Sequence, residues 1–206
     1  MLRKIRFFLT AILTVPHLLC YLLSKSKSVI QRDIDRWTVC AQISKKVPGG
    51  GKLRNVNLMW LLVFYKEYRN LFYLRIGKLS HLLCYLPRLS SLYIDSPSVK
   101  FGAGTFIQHG FSTMIAAKEI GEDCWINQQV TLGFNDSKKN GFGQPTIGNN
   151  VRISAGAKVV GNIKVGDDTT IGVNAVVVKD VPSKSTVVPS PMMLIRERGQ
   201  KVYKKL

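Results

Sequence analysis

Few side chains in this sequence can move protons or attack carbon near neutral pH. They are three histidines (His17, His81 and His109) and four cysteines (Cys20, Cys40, Cys84 and Cys124). The cysteines form no CxxC pair and no disulfide framework, so a reducing cytoplasm is the expected setting. Zinc sites need several nearby His or Cys ligands. His109 is the one histidine beyond residue 90, so no metal is expected and zinc-hydratase chemistry is excluded. An imidazole titrates near neutrality and suits the removal of a proton from a hydroxyl. His109 also stands where the sequence pattern stumbles. Phe101 and Ile107 are six residues apart, but the next aliphatic residue is Met114 or Ile115. Irregular repeats commonly mark a cap or a site.

The pattern that would position His109 has a period of six. Aliphatic residues recur at Ile120, Ile126 and Leu132, and again at Ile147, Ile153, Val159, Val165, Ile171 and Val177. Such a period is neither helical nor a simple strand alternation; it is the hexapeptide signature of a parallel β-helix. Three units close a triangular coil of eighteen residues, and each coil adds about 4.8 Å to the prism. The polar, Gly-rich insertion LGFNDSKKNGFGQPTIG (residues 132–148) interrupts the lattice and should protrude as a loop. After Val178, Pro182, Pro189 and Pro191 end the repeat, and a short helix around Met192 to Arg198 would lead into a mobile basic end.

The first 90 residues read differently. They hold 16 Lys and Arg against 3 Asp and Glu, of a formal net charge of +18 for all 206 residues. That asymmetry implies an anionic partner. No helix-turn-helix, zinc-finger or RNA-binding motif accompanies it, so nucleic acid is not expected. Residues 1–28 form an apolar run with Arg3, Lys4 and Arg6 before it and Lys25 and Lys27 after it. No small-x-small cleavage site follows, and Pro16 and His17 interrupt a run barely long enough to span. An interfacial helix on an anionic leaflet and a buried core helix both remain open. Residues 29–47 and Leu58 to Leu79 look helical. On the second, Lys66, Arg69, Arg75 and Lys78 read as the solvated edge of an apolar stripe. The expected organisation is an α-helical region over 1–90, a β-helix over 91–191 and a basic tail over 192–206.

IGEDCWINQQVTLG and ISAGAKVVGNIKVGDDTTIGVNAVVVKDVP resemble the hexapeptide core of the acyltransferases with a left-handed β-helix, in particular the serine acetyltransferase branch. The resemblance covers roughly residues 90–191. It implies a mainly β fold, a left-handed parallel β-helix with an α-helical N-terminal region. It also implies a homotrimer (hexamers are common in serine acetyltransferases proper) and acetyl-CoA as co-substrate between neighbouring prisms. In such enzymes the catalytic His follows an Asp, and FIQHG places His109 there with Gln108 in place of the Asp. The partner carboxylate falls at Asp95 in YIDSP. Coil corners at Gly133, Ala155 and Val173 would hold the pantetheine arm, and Lys179, with Arg196 or Arg198, would meet the CoA phosphates.

The loop departs from that branch. Where an Arg-His pair handles the amino-acid acceptor, this sequence has Gly143 and Gln144. An acceptor carboxylate would lose a charge-assisted partner. The expectation is therefore O-acetylation of a saccharide, as in proteins of polysaccharide gene clusters, with Gln108 and Gln144 touching the acceptor. Serine O-acetylation in cysteine synthesis is the alternative. The expected place is the cytoplasm, peripheral on the inner face of the membrane if residues 1–28 bind it.

Overall fold

The structure is a computed structural model and describes residues 2–48, 50–95, 99–137, 141–189, 193–197 and 200–205. Five α-helices come first: α1 (Leu2–Thr10), α2 (Val15–Leu23), α3 (Lys27–Cys40), α4 (Arg54–Phe64) and α5 (Lys66–Ile76). A 3-10 turn over Ala11–Thr14 joins α1 to α2, and Pro16 stands in the first turn of α2. A proline there loses no helical hydrogen bond, because the first N–H groups of a helix have no partner in any case. The single helix expected from Leu58 to Leu79 is two. Tyr65 is extended (φ −120°, ψ 99°) and caps both, although no Gly or Pro marks the break. Its ring packs edge-on against Trp37 at 5.9 Å, so tertiary packing sets this boundary.

Among the described residues, fourteen strands form the coils, three to a complete coil, with one hairpin between them. The first coil is β1 (Leu92–Ile94), β2 (Lys100–Phe101) and β3 (Phe106–Ile107). The second is β4 (Thr113–Ile115), β5 (Glu119–Ile120) and β6 (Trp125–Ile126). The third begins with β7 (Thr131–Gly133), detours through the hairpin β8 (Asn135–Ser137) and β9 (Gly141–Gly143), and closes with β10 (Thr146–Ile147) and β11 (Arg152–Ile153). The fourth is β12 (Lys158–Val160), β13 (Lys164–Val165) and β14 (Thr170–Ile171), and β15 (Val176–Val177) and β16 (Thr186–Val187) begin a fifth. Corresponding strands stack in parallel into three faces. Face A is β1-β4-β7-β12-β15, face B is β2-β5-β10-β13, and face C is β3-β6-β11-β14-β16.

The stacking register puts the lattice residues in columns. Ile115, Leu132, Val159 and Val177 align on face A; Ile120, Ile147 and Val165 on face B; Ile107, Ile126, Ile153 and Ile171 on face C. All are buried. The coils turn tightly because backbone lies on backbone. A Cβ on Gly121 would meet the carbonyl oxygen of Gly148 in the next coil at 2.5 Å. Cys124 stacks inside this corner, where burial pushes its thiol up to about 11, so it is a packing residue and not a nucleophile.

The helices sit on the first coils. Trp37 stacks edge-on against Phe106 at 4.7 Å, and its indole N–H donates to the Thr105 carbonyl at 2.9 Å. Buried Asp33 pairs with Arg75 at 2.9 Å and accepts the Gly104 N–H at 2.8 Å; Arg75 in turn donates to the Phe101 and Gly102 carbonyls, each at 2.7 Å. Burial raises the Asp33 carboxyl, against the opposing pull of Arg75. The basic stripe expected on α5 is therefore only half solvated, since Arg69 and Arg75 are turned inward.

Phe7, Thr14, His17 and Tyr21 bury one side of the α1–α2 segment. The other side is an apolar ridge exposed to solvent, with Leu2 82%, Phe8 67%, Leu9 74%, Ile12 71% and Leu23 85% exposed. The chain ends on an antiparallel pair, β17 (Met193–Glu197) and β18 (Gln200–Lys205). That corrects the short helix expected around Met192 to Arg198. Met-Leu-Ile and Val-Tyr are short apolar runs without helical periodicity, and strand pairing satisfies their backbone groups. Met192 and Arg198 lie outside the described residues.

Candidate active site

His109 lies on the turn between β3 and β4, the edge joining face C to face A. The lattice is eight residues long here, from Ile107 to Ile115, not six. Ser112 (φ 52°) takes the left-handed conformation that Gln129, Gly156 and Asn174 take at the same corner of the later coils, and His109 (φ 58°) is an additional left-handed residue within the excess. The His109 carbonyl accepts the Phe111 N–H across this turn. A non-glycine residue at positive φ is uncommon and costs about 1 kcal/mol or more. Its effect is to push the imidazole out of the prism: His109 is exposed, while Ile107 and Gly110 on either side are buried.

The residue before it is held from within. The Gln108 side-chain carbonyl accepts from the Trp125 indole N–H at 3.2 Å and from the Asn127 amide at 3.1 Å. Gln108 thus fills the family's Asp position as a neutral, well-bonded neighbour of the histidine.

Gln128, Ala155 and Val173 each follow a face C column residue by two positions, as His109 does. The residues expected at Ala155 and Val173 therefore share the prism edge that bears His109, although the carbonyl ladder of that edge runs Phe111, Gln128, Ala155, and His109 is one of the two residues added to the turn above it. Gly133 belongs elsewhere. It ends β7 on the edge joining face A to face B, in the position that Asp95 holds after β1. Gln144 is on that edge too, its amide 3.4 Å from the Asp95 carboxylate, and so is Lys179, two residues past Val177. One chain thus divides the expected residues into two sets, with His109, Gln108, Ala155 and Val173 on one edge and Asp95, Gly133, Gln144 and Lys179 on the other. Asp95 follows β1 at one end of face A and His109 precedes β4 at the other. The Arg196 side chain and all of Arg198 lie outside the described residues.

The insertion protrudes, as its polarity implies, but as a hairpin. Phe134 and Phe142 stack across it at 5.8 Å with ring planes 9° apart. Gly143 packs on the prism so closely that a Cβ there would meet the Asn162 side chain at 2.7 Å. An arginine has no room at 143 while the hairpin keeps this course.

A cavity of about 410 Å³ opens beside His109, on the side away from Ala155 and between the prism and the helices. Its polar lining includes Gln108 and His109 with Arg3 of α1, Lys46 of the α3–α4 connection and Glu67 of α5. The half-buried Lys46 ammonium donates to the Ala41 carbonyl at 2.6 Å and the Tyr65 hydroxyl at 3.3 Å. Cys40 also lines it, its thiol raised chiefly by burial. Sequence reasoning missed the three helical residues. One signal was present: Glu67 is the single acidic residue between Asp35 and Asp95.

Comparison with known proteins agrees with this architecture. Residues 144–179 match the bacterial transferase hexapeptide family, six repeats. A serine acetyltransferase of Synechococcus elongatus is 40% identical over 142 residues, 68% of this chain and 58% of that protein. One from Staphylococcus aureus is 45% identical over 109 residues, 52% of this chain and 51% of that protein. Among solved structures, soybean serine acetyltransferase superposes with a TM-score of 0.58 at 26% identity, covering 90% of this chain and 72% of that one. The match spans little more than half the length of these curated relatives. They overturn the expectation of a saccharide acceptor, and nothing in them supports a polysaccharide-cluster affiliation. That expectation rested on Gly143 and Gln144, of which Gly143 packs tightly on Asn162 in this chain. Residues 144–179 carry the bacterial transferase hexapeptide repeat, and the chain folds as a left-handed parallel β-helix under a helical cap, as serine acetyltransferases do.

Proposed function

We propose that this protein is a serine O-acetyltransferase that uses acetyl-CoA. One observation carries the chemistry: an exposed imidazole, held outward by a strained turn, stands between a line of coil corners and a cavity of mixed charge. The serine hydroxyl oxygen attacks the thioester carbonyl carbon while His109 takes its proton. The tetrahedral intermediate collapses, the C–S bond breaks, and His109 returns the proton to the departing thiolate. Ala155 and Val173 flank the pantetheine arm. The likeness to serine acetyltransferases supports both the donor and the acceptor. The test is thiol release from acetyl-CoA with L-serine, with O-acetylserine identified as product; no release with L-serine overturns the reading.

The division of residues between two edges supports a homotrimer. In a threefold assembly the edge of one prism that bears His109 faces the edge of the next that bears Asp95, Gly133 and Lys179, so each site is completed between copies. The apolar ridge of α1–α2, flanked by Lys4, Lys25 and Lys27, supports contact of residues 1–28 with an anionic membrane surface from the cytoplasmic side, because cations beside buried apolar area are what such a surface retains.

A further inference from the structure

In the family the acceptor is handled from the loop, yet here Gly143 and Gln144 offer it no charge. The charges stand in the cavity beside His109. Arg3 and Lys46 supply two cations and Glu67 one anion, carried by α1, the α3–α4 connection and α5. Glu67, which also feels the buried Arg69 guanidinium, is the one carboxylate among the lining residues of this space of about 410 Å³ and Arg3 and Lys46 are its cations, a set that matches a small zwitterion. Glu67 is close to the imidazole's own turn, its Cβ 3.5 Å from where a Cβ on Gly110 would stand.

We propose that this cavity is the acceptor site, and that the helical cap replaces the loop as the part of the protein that recognises an amino acid. The inference rests on the serine reading and says where the serine goes. Glu67 takes the α-ammonium. Lys46 takes the α-carboxylate with help from Arg3. Lys46 can do so without giving up its present partners, since an ammonium has three donors and two are engaged, by Ala41 and Tyr65. The hydroxyl then points to His109. The layout suits the reaction: the coil corners that would carry the donor descend from one side of His109, and the cavity opens on the other. Serine and acetyl-CoA would approach the imidazole from opposite directions.

Calorimetric titration of the full chain separates this inference from the function it rests on. The ligands are L-serine, L-serinamide, which lacks the carboxylate charge, and 3-hydroxypropionate, which lacks the amine. Glu67→Gln is expected to weaken L-serine about tenfold or more and leave 3-hydroxypropionate unchanged, the scale of a lost charge-assisted pair. Lys46→Met is expected to weaken L-serine and leave L-serinamide unchanged. Arg3→Met, at an exposed side chain, gives a smaller loss in the same direction and guards against any misfolding of the Lys46 variant. L-serine that binds Glu67→Gln and Lys46→Met as it binds the wild type, or does not bind the wild type at all, overturns the site. Thiol release with L-serine whose KM is unchanged in both variants upholds the function and overturns the site. Charge-selective binding without thiol release does the reverse.

Discussion

His109 and Ala155 occupy the same edge of the prism, each two residues past a buried isoleucine of the face C column, Ile107 and Ile153. The register of the coils puts Phe111 in line with Gln128 and Ala155, and the two-residue excess of this turn sets the proposed base beside the head of that line.

Exchange of His109 for Asn should lower thiol release with L-serine by about 100-fold or more, the range for removal of a general base. Asn tolerates the positive φ at this position, so the melting temperature should hold. Retention of full turnover would remove His109 from the mechanism.

Ala155→Glu places a charged side chain on the edge below His109. The KM for acetyl-CoA should rise about tenfold or more while the affinity for L-serine, measured by titration, stays put. Equal losses for both ligands would mean that this edge is not the donor path.

Asp33→Asn breaks the buried pair with Arg75 and leaves the guanidinium uncompensated between the helices and the prism. The expected loss is roughly 3 kcal/mol of unfolding free energy, the scale of removing one partner of a buried ion pair, read by urea denaturation. A change below about 0.5 kcal/mol would show that the pair does not hold the cap to the prism.

His17 is fully buried, with its ring bonded to the Tyr73 hydroxyl at 2.9 Å, and desolvation lowers its pKa from 6.5 to about 4. The fold therefore favours the neutral ring. Between about pH 6.5 and 4 the unfolded chain binds the extra proton and the native chain does not. The His17 contribution is fully present above 6.5 and is lost as the pH falls through that window, by roughly 2–3 kcal/mol. His17→Gln should flatten this part of the stability profile; an identical acid slope in the variant would assign it to other groups.

Vesicles of phosphatidylcholine with phosphatidylserine should sediment the protein, and pure phosphatidylcholine should not. The triple change Phe8→Ser, Leu9→Ser and Ile12→Ser, confined to exposed positions, should abolish sedimentation without lowering the melting temperature. Equal binding to both vesicles, or binding that survives the triple change, would end the membrane proposal.

Much of the prism was legible because its rule is local. Each aliphatic position between Ile120 and Val177 packs on the residue eighteen positions away, or further only where the hairpin intervenes, so counting along the chain is enough to find the columns. The irregularity near His109 was legible for the same reason, although the excess proved to be two residues. The helical cap obeyed no such rule. The break at Tyr65 and the inward turn of Arg69 and Arg75 follow from aromatic and ionic contacts with distant residues, and the tail formed strands where local reading expected a helix.

The sequence by itself determined the coil, its small-residue corners and the irregular turn that carries the one histidine within it, since a six-residue lattice leaves little freedom in where a side chain points and a break in it shows at once. Tertiary structure alone decided that Asp95 and His109 stand on different edges, and that Arg3, Lys46 and Glu67 meet at one cavity. The first follows from where strand pairing sets the ends of face A, and the second from how segments far apart in the chain settle on the first coils, a matter of packing between surfaces that no spacing along the chain records.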